Sequence, residues 1–191
     1  MIAGHKVAIM KKRSVTLLKT FPPLTVSAPA LISEGSDIDF RNLVDNLILF
    51  SSQIQNVRQV LSSAMGVSQP QYNILMIIAR DKTHGGMTIK ELAEKLRVSP
   101  SFAVIETNKL MAKGFLHKRT STADRRRINL NLTEKAAHLL VKIGPLQRQV
   151  NNKLFGGLTN RDFKSLTHII KTLIAGYEPA LDEAKKSSLI R

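Results

Sequence analysis

Beyond Gly35, apolar residues recur at helical spacing through most of the chain. From Asp37 to about Met65 they fall three and four positions apart, which predicts one long amphipathic helix. Ser68 and Pro70 then open a second predicted helix. The apolar stripe of this second helix consists of Tyr72, Leu75, Ile78 and Ala79.

Two short helices with separate caps follow in quick succession. Thr88 and Glu91 have the spacing of a capping box, in which each side chain binds the backbone N–H of the other residue. Ser99 and the proline after it are typical of the start of a new helix, and Gly114 is typical of its end. The pattern predicts a helix-turn-helix over residues 88–113.

A basic loop between two alternating runs comes next. The segments FLHKR and INLNL have the period of strands and flank the loop STADRR, so residues 115–132 are predicted to form a hairpin. Three adjacent arginines, Arg125, Arg126 and Arg127, fall near its tip. A helix-turn-helix followed by such a hairpin is a winged helix, whose second helix enters the major groove of DNA. The hairpin can place an arginine in the adjacent minor groove, where the negative potential is deep.

Two further helices are predicted towards the C-terminus. Thr133 caps the first, which Pro145 is expected to kink or divide and which the glycine pair at 156–157 ends. The second starts at Thr159, with Asp162 in the third helical position of another cap. The residues that this helix is expected to bury are Phe163, Leu166, Ile169, Ile170 and Leu173.

The predicted fold class is therefore mainly α with a small β-hairpin wing, a winged helix-turn-helix over residues 36–180. Residues 1–35 contain five basic residues, no acidic residue before Glu34 and no sustained periodicity. They are expected to form a basic, flexible N-terminal extension, and residues 181–191 are expected to form a C-terminal tail.

Composition and charge narrow the range of partners. The 191 residues suit a single domain, and 29 Lys and Arg against 14 Asp and Glu give a net charge of +15. Such an excess favours a polyanionic partner, either nucleic acid or an acidic membrane surface. The chain contains no cysteine and no apolar run of the roughly 18–20 residues that a membrane span needs, so it is expected in the cytoplasm, away from membranes.

Motifs of catalysis and of metal binding are missing from the sequence. It has no glycine-rich phosphate loop and no nucleophile elbow, and its five histidines show no ligand spacing. Neither an enzyme, nor a cofactor, nor a metal site is predicted.

Positive charge is concentrated around the predicted wing. From Lys109 to Lys135 there are eight basic residues and two acidic ones, Asp124 and Glu134, a local net charge of +6 (eight minus two). We interpret this segment as the DNA-facing part of the fold. A merely solvated basic loop is the alternative.

The order and spacing of these motifs resemble the MarR family of bacterial transcription regulators over about residues 38–180. The residues that carry the resemblance are Asp124-Arg125-Arg126, Leu130, Leu132-Thr133 and Glu134-Lys135. Supporting matches are Pro70-Gln71-Tyr72 with Leu75, Thr88 with Glu91-Leu92-Ala93, Leu110 with Gly114, and Leu158-Thr159.

The resemblance implies an obligate homodimer, joined through the helices of residues 36–65 and 133–180, whose two winged lobes read a pseudo-palindrome in double-stranded DNA. It also implies that Asp124 positions Arg126, and that Arg126 is the wing residue that enters the minor groove.

Members of the family respond to small molecules, often anionic aromatics, that bind between the dimerisation and DNA-binding regions. Phe50 and Tyr72 are candidates for lining such a pocket. Helical core packing is the alternative role for both.

Helical geometry assigns two faces to the second helix of the motif. The inward residues are predicted to be Ala103, Thr107 and Leu110, and the outward ones Ser101, Ile105 and Asn108. Ser101 suits a phosphate or a base, and the amide of Asn108 suits adenine. Ile105, with Phe102 and Val104, leaves this face unusually apolar. Contact with a thymine methyl group is one explanation, and packing of Phe102 or Val104 beneath the wing is another.

The predicted DNA-binding residues are Ser99, Ser101, Phe102, Ile105, Asn108, Lys118, Arg119, Asp124, Arg125, Arg126 and Arg127. The predicted function is that of a sequence-specific DNA-binding transcriptional regulator, a ligand-responsive repressor that acts as a homodimer. The alternative is a non-specific architectural DNA- or RNA-binding protein, because phosphate contacts alone carry no sequence information.

Overall fold

The computed structural model describes residues 22–81, 85–120 and 126–186. These ranges contain seven α-helices and a two-stranded antiparallel sheet. The helices are α1 (Ile38–Ala64), α2 (Gln69–Ala79), α3 (Ile89–Leu96), α4 (Pro100–Ala112), α5 (Glu134–Phe155), α6 (Asn160–Ala175) and α7 (Tyr177–Lys186), and the strands are β1 (Leu116–Thr120) and β2 (Ile128–Leu132). The predicted mainly α fold with one small hairpin is confirmed.

The chain divides into two compact units between Arg58 and Gln59, inside α1. In the first unit, the segment before α1 is bound to the start of that helix. The buried carboxylate of Asp37 accepts hydrogen bonds from the backbone N–H and the hydroxyl of Thr25, at 2.6 and 2.7 Å, and from Arg41 Nε at 2.9 Å. The predicted N-terminal extension thus includes a segment that Thr25 attaches to the first turn of α1.

These bonds also change the acidity of Asp37. Arg41 makes the largest contribution, followed by the hydroxyl of Thr25, and together they hold the pKa of the Asp37 carboxyl well below its usual range. Asp37 is consequently ionised at any physiological pH, and the attachment of this segment does not depend on pH there.

The core of the second unit lies where α2, α3 and α4 pack together, with α2 against β2 and α4 against β1. Its most buried apolar residues are Ile74, Leu75, Leu92, Ala103, Leu110, Leu130 and Ala136. The helix starts that the sequence predicts are confirmed, since side-chain N-caps are present at Ser68, Thr88, Ser99, Thr133 and Thr159. Local side-chain chemistry thus fixes where these helices begin.

A single β-bridge adds a third, very short pairing to the wing hairpin. Leu116 pairs with Leu132 at the base of the hairpin, and Thr120 pairs with Ile128 towards its tip. Met87 forms a bridge to Leu130 on the other side of β2, with backbone hydrogen bonds of 3.1 and 2.8 Å. The bridge joins the hairpin to the residue that precedes the capping box of α3.

Two features of the C-terminal helices bear on the predictions. α5 runs through Pro145 as one helix and is not divided, so the other predicted outcome, a kink, stays a prediction. Residues 177–186 form α7, where a tail was predicted from residue 181. Arg97 lies over the ring of Tyr177 at 5.4 Å and within 3.7 Å of Glu178, so α7 contacts the end of α3.

The apolar stripe of α6 is exposed in the single chain. Phe163 is 61% exposed, Ile169 51% and Leu173 53%, Leu166 is also exposed, and Ile170 is half-buried. The prediction that this stripe is buried is therefore wrong within one chain. The helical period marks a face that is suited to burial but does not identify what covers it.

Candidate nucleic-acid interface

Caps fix the start of α3 and both sides of the turn between α3 and α4. Thr88 Oγ1 accepts from the backbone N–H of Glu91 at 3.2 Å, and Glu91 Oε2 accepts from that of Thr88 at 2.9 Å. Arg97 ends α3 in the left-handed conformation, with φ of 54°, and Ser99 Oγ accepts from the backbone N–H of Phe102 at 3.2 Å. A left-handed non-glycine residue costs about 1 kcal/mol, which the packing of the two helices offsets.

α4 has the two faces that its sequence predicts. Ala103, Thr107 and Leu110 are completely buried, whereas Ser101, Ile105 and Asn108 are exposed. Phe102 and Val104 are 37% and 38% exposed, so neither is buried beneath the wing. The outward face of α4 is therefore available to a ligand along its length.

A buried carboxylate on α4, which the sequence reading missed, ties this helix to α2. Glu106 is 6% exposed and accepts from Gln71 Nε2 at 3.0 Å and from Lys109 Nζ at 2.6 Å. Gln71 Oε1 accepts in turn from Lys113 Nζ at 3.2 Å, and the same ammonium donates to the carbonyl of Gly66 at 3.1 Å. The sequence signal for this burial was that Glu106 directly precedes Thr107, which was predicted to face inward.

The hydrogen bond from Lys109 is the largest influence on Glu106 and holds the pKa of its carboxyl below the usual value. A carboxyl with a lowered folded-state pKa stabilises the fold above its unfolded-state pKa, and this contribution disappears as the pH falls through the folded-state value. We expect Glu106→Gln to be about 1.5 kcal/mol less stable than the wild type at pH 7, because a charged hydrogen-bond acceptor is lost.

The difference should shrink as the pH falls and Glu106 becomes protonated in the wild type. Urea unfolding at pH 7, 5, 4 and 3 measures it. The control is Glu134→Gln, an exposed carboxylate in the first turn of α5. A stability gap for Glu106→Gln that stays constant with pH would contradict a role for its ionised form.

The wing is fixed to α3 through an arginine. Arg127 Nη2 donates to both carboxylate oxygens of Glu91 at 2.8 Å, and its Nε donates to Asn129 Oδ1 at 3.0 Å. Asn129 Nδ2 donates to the carbonyl of Gly85 at 2.6 Å. The backbone N–H of Thr88 makes the largest contribution to a lowered pKa of Glu91, and Arg127 lowers it further. Glu91 therefore caps α3 and holds the wing at the same time.

Several of the basic side chains around the wing have partners within the same chain. Arg127, Lys109, Lys113 and Lys135 have partners within the chain, Lys135 through the carbonyl of Lys113 and the ring of Phe115. Arg127 was predicted among the DNA-binding residues, but its guanidinium lies on Glu91 of the same chain. The local net charge of +6 thus overstates the positive charge that is available to a ligand.

Of the other predicted wing residues, Lys118, Arg119 and Arg126 are exposed. Asp124 and Arg125 lie outside the described residues. At the start of α4, Ser99 Oγ lies 3.0 Å from Ser101 Oγ, and both residues are exposed.

Tyr72 and Phe50, the predicted pocket residues, lie in different units. Tyr72 is 6% exposed and its hydroxyl accepts from Gln147 Nε2 at 2.7 Å, while Phe50 is half-buried on α1. Their role in effector binding stays a prediction.

The described ranges contain no helix that is long and apolar enough to cross a membrane. Within the same ranges, no group of three or more histidine or acidic side chains lies close enough together to hold a metal ion.

Comparison with known proteins identifies the family. The model of the MarR family matches residues 67–128, from the start of α2 to the first residue of β2. The uncharacterized HTH-type transcriptional regulator YwhA of Bacillus subtilis (strain 168) is 30% identical over 100 residues, which are 52% of this chain and 70% of YwhA. The chain belongs to the MarR family.

Other members are similar over more of the chain. The transcriptional repressor MprA of Escherichia coli (strain K12) is 24% identical over 173 residues, 90% of this chain and 96% of MprA. The S. aureus MepR–DNA complex has the same fold, with a TM-score of 0.60, 13% identity and coverage of 69% of this chain and 93% of that one. The predicted resemblance to the MarR family is thereby confirmed.

Proposed function

We propose that this protein is a sequence-specific DNA-binding transcriptional regulator, a ligand-responsive repressor that acts as a homodimer on a pseudo-palindromic operator. The observation that carries the proposal is a two-part surface, formed by the outward face of α4 and by the exposed cations of the wing. Glu91 and Met87 connect the wing to α3, since one binds Arg127 and the other bridges to Leu130, and α3 packs against α4. A DNA-binding surface with two connected parts can contact both grooves of one DNA segment.

Each part has its own chemistry. An α-helix such as α4 fits the major groove. Its outward residues Ser101 and Asn108 can form hydrogen bonds to base edges or phosphates. Lys118 and Arg119 on β1 neutralise phosphates, and Arg126 enters the minor groove. Asp124 retains the role that the family resemblance implies, the orientation of Arg126, and Arg125 adds a further positive charge.

In the homodimer, the second chain supplies a second DNA-binding surface of the same kind. The exposed apolar stripe of α6 and the exposed Leu43, Val44 and Ile48 of α1 are suited to burial against a second copy of the chain. Two lobes related by a two-fold axis then read half-sites about 34–36 Å apart, one turn of B-DNA. MprA, similar over most of its length, is a transcriptional repressor, and occlusion of a promoter by the bound dimer would repress transcription here.

The effector that we propose is a small anionic or aromatic molecule. Phe50 and Tyr72 are the candidate pocket residues. The hydrogen bond from Gln147 leaves the Tyr72 hydroxyl able to donate to an anionic group, because that hydroxyl accepts rather than donates in this bond.

Arg126→Ala tests the wing. We expect it to weaken operator binding about 10- to 100-fold, the effect of losing one arginine contact, and to reduce the dependence of affinity on salt by about one released counterion. Arg127→Ala is a comparison variant: because its guanidinium is bound to Glu91, we expect an unchanged salt dependence and a loss of affinity only through release of the wing from α3. Fluorescence anisotropy between 50 and 200 mM salt gives both quantities. Wild-type affinity in Arg126→Ala would exclude the wing from the interface.

The ratio of affinities for specific and scrambled duplexes separates a regulator from an architectural protein. DNA upstream of the gene of this protein is the first duplex to test, because repressors commonly control themselves. A ratio of about a thousand or more is expected for a regulator. A genome-wide selection of bound fragments would test further duplexes. If each selected fragment is bound no more tightly than scrambled DNA, the architectural alternative is favoured.

A further inference from the structure

The outward face of α4 has an apolar centre between two polar residues. Ser101, Ile105 and Asn108 are four and three positions apart, so they lie along one side of the helix. With a rise of about 1.5 Å per residue, the three side chains extend over about 10 Å, or roughly three base-pair steps. Ile105 is 52% exposed, although the opposite face of the same helix is completely buried.

The apolar centre is larger than one side chain. Phe102 lies one turn before Ile105 and is 37% exposed, and Val104 is 38% exposed. None of these side chains can donate or accept a hydrogen bond. Because an apolar side chain gains nothing from exposure to water, this patch is suited to a ligand surface that offers an apolar group.

Charge decides which kind of ligand covers this patch. The chain carries a net charge of +15, and the exposed cations Lys118, Arg119 and Arg126 belong to the same compact unit as α4. The start of α4 also presents hydroxyl groups and the positive end of a helix dipole. A polyanion that bears apolar groups at regular spacing fits this combination. In the major groove of DNA, the only such group is the C5 methyl of thymine.

We propose that Ile105 is a specificity-determining residue that contacts the C5 methyl group of a thymine near the centre of each operator half-site. The inference rests on the proposed function. It places this thymine between the positions read by Ser101 and by Asn108. The amide of Asn108 pairs best with adenine, so the half-site would contain a thymine beside an adenine-reading position.

Replacing thymine with uracil isolates the methyl group, because deoxyuridine pairs with adenine as thymine does. The half-site is first obtained by selecting wild-type binding sites from a random duplex library. Each thymine in that site is then replaced singly by deoxyuridine. We expect one central replacement to weaken wild-type binding about fourfold, the effect of leaving one methyl group unburied. Ile105→Ala should bind the thymine and uracil duplexes equally.

Two control variants complete the design. Ile105 is exposed, so its truncation leaves the core intact, and circular dichroism checks the fold. Phe102→Ala should retain the fourfold preference for thymine. Equal wild-type binding to all uracil duplexes, together with strong preference over scrambled DNA, would overturn the inference and leave the proposed function standing. A preference that persists in Ile105→Ala would assign the methyl contact to another residue. Failure to select any site would remove the proposed function and the inference with it.

Discussion

Ile169→Glu is expected to convert the protein to a monomer and to lower its operator affinity at least about a thousandfold. Ile169 is 51% exposed in the single chain, in the middle of the apolar stripe of α6. A carboxylate buried against a second copy would be desolvated without a partner, which costs several kcal/mol for each of the two symmetry-related sites. Because a monomer reads one half-site only, its affinity should fall to the range of non-specific binding.

His168→Glu is the matched control for this prediction. It introduces the same charge on the adjacent position of α6, on the side of the helix that faces away from the stripe. We expect it to remain dimeric and to bind the operator within severalfold of the wild type. Sedimentation equilibrium measures the oligomeric state, and fluorescence anisotropy measures the affinity. A dimeric Ile169→Glu that still binds operator tightly would move the dimer interface away from α6.

Gly86→Ala should destabilise the second unit by about 3 kcal/mol and weaken DNA binding through the wing. Gly86 has φ of 79°, and a Cβ there would lie 2.6 Å from the carbonyl oxygen of Leu130 and from the side chain of Asn131. That carbonyl accepts the hydrogen bond from Met87 that joins the wing to α3. The substitution therefore combines a strained backbone with displacement of the bridge.

Gly66→Ala separates the two contributions. Gly66 also has a positive φ, 67°, but a Cβ added there meets nothing within 4 Å. We expect a cost of about 1 kcal/mol, from backbone strain alone, and wild-type DNA affinity. Urea unfolding and anisotropy on the same preparations provide the comparison. Equal destabilisation by the two alanines would mean that the loop before Met87 moves freely and that the bridge does not hold the wing.

The sequence was sufficient to predict the elements that depend on local chemistry. The caps at Ser68, Thr88 and Ser99 and the alternation of INLNL are each decided by residues a few positions apart, and the structure has the corresponding helices and strand. The inward face of α4 followed from the helical period in the same way. A MarR-type order of motifs then supplied the winged fold.

Long-range contacts were not predictable in this way. Arg127 binds Glu91 across 36 positions, and its sequence context, a run of three arginines, resembles a DNA-binding tip. Gln71 and Glu106 are 35 positions apart, and each alone resembles an ordinary polar helix residue. Helix α7 was not predicted as a separate element: it begins at Tyr177, directly after Gly176, which caps α6 in the ordinary helical conformation.

The two faces of α4 have a consequence for how such regulators diversify. The residues that attach the helix to the fold, Ala103, Glu106, Thr107 and Leu110, are all buried, and the residues that we propose to contact DNA are all exposed. Mutations at Ser101, Ile105 or Asn108 can therefore accumulate with little loss of stability, because exposed substitutions usually change it by less than about 0.5 kcal/mol. A duplicated gene could acquire a new operator in a few steps while the scaffold stays unchanged. A designer who exchanges the same three positions would retain Glu106 together with Gln71.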